Sequence, residues 1–207
     1  MLRKMLGLAF LCTVLVGCAT STNQAISNSD KVKVTSVNLN EQVPYPSEMY
    51  YLGPGGSTGL MFGAIGGLLA APGIEKERQT AQARTSGGIS IDRIVYEETL
   101  AQLRASGKFP LSERPIGGGA TMQVSVTQYG FSIPNGFSSR LVPILRIQLE
   151  LRDAAGHLLW ADSRRTLTLG NPVESVDAEE IMRNPLAREA AWRQAAKALA
   201  RALVESY

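Results

Sequence analysis

Histidine and cysteine are nearly missing from this chain of 207 residues, which has one His and two Cys. The usual zinc ligand sets cannot be assembled from so few donors, so no metal site is expected. Neither a Gly-x-Ser-x-Gly elbow nor a phosphate-binding P-loop occurs. Charge is sparse too, at 19% of residues, and no basic block of five or more residues is present. The formal charge of +3 falls to +1 without Arg3 and Lys4, so nucleic-acid binding is not expected. No apolar run reaches the roughly 20 residues that a membrane-spanning helix needs. What remains is a 44% hydrophobic composition with 20 Gly and 10 Pro, which suits one ordinary globular domain.

The first eighteen residues carry the most specific signal. Arg3 and Lys4 precede an apolar stretch from Met5 to Val16 of the length of a signal-peptide core. Leu15-Val16-Gly17-Cys18 follows, and this segment resembles the lipobox of a bacterial lipoprotein signal peptide. The resemblance implies a thioether-linked diacylglycerol on Cys18, cleavage before it and a further acyl chain on the new amine. With Ala19 after the cysteine, where aspartate would signal inner-membrane retention, it also implies an outer-membrane anchor and a body facing the periplasm. The alternative is an ordinary secretory signal cut nearby, with Cys18 a free thiol. Cys12 lies in the discarded segment, so the processed chain would hold neither a spare thiol nor a disulfide.

This reading divides the chain into a signal peptide at 1–17, a lipidated flexible tether at 18–30 and a single domain at 31–207. Alternation predicts a strand over Lys31–Leu39, and the prolines and glycines of 40–57 predict a long loop. Ile91–Ser106 reads as a helix with Val95, Tyr96, Thr99, Leu100 and Leu103 on one face and Gly107 as its C-cap. Met122, Val124 and Val126, then Leu145 to Leu151, alternate as two strands of a hairpin around Asn135-Gly136. A further strand is expected over Leu158–Leu169, with a bulge near Ser163 to reconcile its parity. Asn184-Pro185 opens a last helix whose inner face is Ala191, Trp192, Ala195, Ala196, Leu199, Ala202 and Leu203. The fold class that follows is α+β, a two-layer sandwich with a mostly antiparallel sheet of about four strands and helices on one face.

Candidate sites are few. His157 lies beside a predicted turn, and the pairs Glu97-Glu98 and Glu179-Glu180 point apart on helical segments, so no catalytic residue is assigned and no cofactor is implied. Within the apolar segment 58–72, Gly59, Gly63 and Gly67 would line one helix face and admit close approach of another backbone. Packing inside the chain, contact with another subunit and insertion at a membrane surface all remain open for them. Tyr50, Tyr51 and Phe137 lie on proline-containing loops with Tyr45, Tyr129 and Phe131. They are either binding anchors or covers for a sheet edge.

The order of elements, with an early strand, a helix, strands with a Gly turn before Leu158-Leu159-Trp160 and an Ala-rich closing helix, is similar to that of small envelope lipoproteins. These are the auxiliary lipoproteins of ABC-type lipid transport and the TolB-N-like or curli-secretion-type lipoproteins. No functional residue carries over from them. The expected function is a non-catalytic accessory or scaffold subunit of an envelope transport or assembly complex, held to the membrane through Cys18. An envelope protein or a second copy of the chain would be its partner. The alternatives are a lipid- or small-ligand-binding module, and an enzyme of unknown type.

Overall fold

A computed structural model describes residues 23–52, 90–113, 119–135, 138–166 and 173–207. Cys18, the segment 58–72 with Gly59, Gly63 and Gly67, and Phe137 lie outside them. The described chain is an α+β sandwich. Its mixed sheet is built on β1 (Val37–Leu39), β3 (Ala120–Ser132), β4 (Arg140–Arg152) and β5 (Leu158–Arg165), adjacent in that order. Two short strands complete it: β2 (Tyr50–Leu52) on β3 and β6 (Val176–Asp177) on the start of β4. β3–β4 and β4–β5 are antiparallel. β1 and β2 both run parallel to β3, because the intervening chain crosses over through helix α2 (Ile91–Ser106).

Burial alternates along β3 as far as Val126, with Met122, Val124 and Val126 facing inward. The register then shifts between Val126 and Gln128. This one-residue bulge reverses parity, so Tyr129 and Phe131 take over the inner face opposite Leu145 and Pro143. On β5 the irregularity falls opposite Leu151 and Arg152, at Leu159 rather than near Ser163. The strand stops at Arg165, and 167–172 lie outside the described residues. Pro143 is tolerated mid-strand because it lies past the paired end of β5. There Thr166 Oγ1 accepts from Leu145 N and donates to the Pro143 carbonyl.

Helices α2 and α4 (Pro185–Ser206) pack on each other and on this sheet. Ile91, Ile94, Val95, Thr99 and Leu103 form the buried side of α2, and Gly107 ends it at φ 62°. Tyr96 and Leu100 are only half-buried. On α4 the inner face is broader than the sequence suggests. Arg188, Ala200 and Val204 are buried, whereas Ala202 is exposed. The Arg188 guanidinium donates to the carbonyls of Ile181 and Met182 at the end of α3 (Ala178–Arg183), which satisfies groups that a helix terminus leaves open. Asn184 caps α4 by accepting from Leu186 N and Ala187 N, ahead of Pro185. Asn184→Ala is expected to cost about 1 kcal/mol, read as a lower midpoint in urea with an unchanged slope.

The N-terminal part differs from the expectation. Asn28–Lys33 is a helix, α1, so the strand predicted from Lys31 is confined to Val37–Leu39. Local bonds decide this: Ser27 Oγ accepts from Asp30 N, the Ser27 carbonyl accepts from Lys31 N, and Lys33 pairs with Asp30 at 3.1 Å. The predicted loop 40–57 contains β2, and its preceding residues also bond to β3, with Val126 N donating to the Pro44 carbonyl.

Candidate functional site

The end of the chain nearest Cys18 is fastened to the free edge of β5. Gln24 exchanges both backbone hydrogen bonds with Ala161, at 2.8 and 3.0 Å, and its side-chain amide donates to the Leu158 carbonyl. The polar run expected to be a tether as far as residue 30 is therefore held from Gln24 onward. α1 follows and docks on the end of α4. Lys31 Nζ donates to the Tyr207 carbonyl and stands 4.9 Å from its ring, which also meets Phe109 and Trp160. Burial raises the Tyr207 phenol above its ordinary range. Val32, between Lys31 and Lys33, is 84% exposed, the most exposed large apolar side chain among the described residues.

On the opposite edge, aromatic residues close the sheet. Trp192 of α4 stacks on Phe131 at 5.0 Å and meets the edge of Tyr129 at 6.0 Å. Its indole N–H donates to the Gly130 carbonyl. Tyr45 continues the series against Tyr129 at 6.3 Å. Burial, then the neighbouring Tyr45, pushes the Tyr129 phenol upward. Tyr51 is buried in the core, while Tyr50 (41% exposed) and Tyr45 (50% exposed) remain partly open. Through β2, Tyr50 pairs with Gly130 and Tyr51 with Phe131.

A groove of about 490 Å³ lies between α2 and the chain around β1, lined in part by Asn38, Glu41, Tyr96, Leu100, Arg104 and Glu113. It flanks the sheet–helix core, where Met122, Val124, Leu149, Leu103, Ala195 and Ala196 are fully buried. Burial, then the Glu41 carboxylate, raises the Tyr96 phenol above its usual range.

Glu97 and Glu98 point apart on α2, yet both approach one cation from α4. Arg193 Nη1 stands 2.8 Å from Glu97 and 3.5 Å from Glu98, and Arg193 Nε pairs with Glu189. Hydrogen bonds from Arg93 and then Arg193 hold the Glu97 carboxyl below its ordinary range. The sequence offered no signal for this cluster, because its central member lies some 95 residues away. His157 sits exposed at the β4–β5 turn, with its ring 3.0 Å from the Asp153 carboxylate. Hydrogen bonds, led by that from His157 N–H, lower the Asp153 pKa. Among the described residues there is no group of three or more His, Cys, Asp or Glu placed to hold a metal ion. No described helix is long and apolar enough to cross a membrane.

The chain matches no protein-family model and no curated protein. Among solved structures it is similar to a dodecameric PelC variant from Paraburkholderia phytofirmans, at 10% identity over 90% of this chain and 92% of that one, with a TM-score of 0.39. A second, described only as an uncharacterized protein, shares 16% identity over 82% of this chain and 92% of that chain, with a TM-score of 0.34. At these scores neither likeness transfers a function or an assembly.

Proposed function

We propose that the protein is a bacterial envelope lipoprotein, acylated on Cys18 and anchored in the outer membrane with its body in the periplasm. It serves there as a non-catalytic accessory or scaffold subunit of a transport or assembly complex. One observation carries this reading: Leu15-Val16-Gly17-Cys18 closes a twelve-residue apolar segment that follows Arg3 and Lys4. At roughly 0.8 kcal/mol per buried methylene, two or three acyl chains hold a protein far more firmly than one. Confinement to a thin layer at the bilayer raises the effective concentration of the domain toward partners in the same membrane, so each contact need not be strong. The partner is an envelope protein or a second copy of the chain.

Replacing Cys18 with Ser tests this directly. The expected result is release of the protein from the membrane fraction into the soluble periplasm. Unchanged membrane retention would remove Cys18 as the anchor and assign that role to another segment, with 58–72 the first to examine. A second reading, binding of a lipid or small ligand, draws on the groove of about 490 Å³ beside Tyr96 and Arg104, a volume within the range of small-molecule sites.

A further inference from the structure

Five residues lie between Cys18 and Gln24. An extended chain covers at most about 3.3–3.6 Å per residue, so the six steps place the Cys18 Cα within about 22 Å of Gln24 on the β5 edge. That edge also carries α1, on which an 84% exposed valine stands between two lysines, Lys31 bonded to the Tyr207 carbonyl and Lys33 to Asp30. An apolar side chain flanked by long cationic ones suits the boundary between acyl chains and anionic headgroups. There the valine enters the apolar layer and the ammonium groups stay at phosphate level. The opposite edge, by contrast, carries Glu41, Glu48, Tyr45 and Tyr50 as exposed residues.

Resting on the lipoprotein reading, we propose that the surface formed by α1 and the β5 edge is the membrane-contact face. Val32 lies at the headgroup boundary, flanked by Lys31 and Lys33. The start of α4 then points away. This helix has 22 residues, so at 1.5 Å per residue its first turn stands about 30 Å from the end that docks on α1. Leu186 in that first turn is 74% exposed and serves as the distal reference.

Acylated full-length protein carrying Val32→Cys or Leu186→Cys, each labelled with a fluorophore, is reconstituted into phosphatidylethanolamine–phosphatidylglycerol vesicles containing headgroup-nitroxide lipid. Quenching several-fold stronger at 32 than at 186 is the expected result, with the difference reduced by Lys33→Glu. Equal quenching, or stronger quenching at 186, on protein shown by mass spectrometry to be acylated at Cys18 would overturn the orientation and leave the anchor standing. Protein from the native envelope without acyl chains on Cys18 would overturn both.

Discussion

Gly130→Ala is expected to destabilise the protein by about 3 kcal/mol or more. Gly130 sits at φ +147°, and a methyl group built there would stand 1.7 Å from the Tyr50 carbonyl oxygen and 2.9 Å from the Tyr50 nitrogen. These are backbone atoms of the paired strand β2, so no side-chain rotation relieves the clash. β2 would have to leave β3, and the Gly130 carbonyl that accepts from Trp192 would move with it. Gly156→Ala is the control. That residue also has positive φ, at +86°, but a methyl group would meet nothing within 4 Å. Its cost is confined to local strain of about 1–2 kcal/mol. Urea unfolding of both variants separates the two effects. Equal losses would mean that the close approach of β2 to Gly130 is not what demands glycine.

Trp192→Ala is expected to cost about 3–5 kcal/mol. The indole is almost fully buried, stacks on Phe131 and joins α4 to the bulged end of β3. Its removal leaves a cavity bounded by Phe131 and Tyr129, which β3 and its edge strand hold in place. Trp192→Phe keeps most of the contact area but gives up the bond to the Gly130 carbonyl, at about 1–2 kcal/mol. A loss below about 1 kcal/mol for the alanine variant, read from urea midpoints at constant slope, would show that this region collapses freely around the missing ring.

These two residues illustrate what is readable from sequence here and what is not. Trp192 stands out on a helix whose cap, Asn184-Pro185, and repeating alanines are written within one segment, so its burial is a local deduction. The same holds for Gly107 after α2, and for the hairpin of β3 and β4 with its alternating faces. The demand for glycine at position 130 depends on a strand 80 residues earlier, and prolines at 44 and 46 made that stretch read as loop. The reversal of parity at Thr127 likewise comes from pairing with β4, not from composition. α1 was legible in principle, because Ser27 and Asp30 have the spacing of a capping box, but the alternation of valine and lysine competes with it.

Of the candidate site residues, Tyr50 and Tyr51 take their places through β2 pairing, a tertiary event. Cys18, Gly59, Gly63, Gly67 and Phe137 rest on the sequence alone. The convergence of Glu97, Glu98 and Glu189 on Arg193 has no sequence signature, since it requires α2 to lie against α4.

Intact-mass and N-terminal peptide mass spectrometry of protein purified from its native envelope tests the acylation of Cys18 most directly. The result predicted is a chain that begins at Cys18 and carries a diacylglycerol thioether with a further acyl group on its amine. A chain with an unmodified Cys18 thiol, or one beginning elsewhere without lipid, would contradict it.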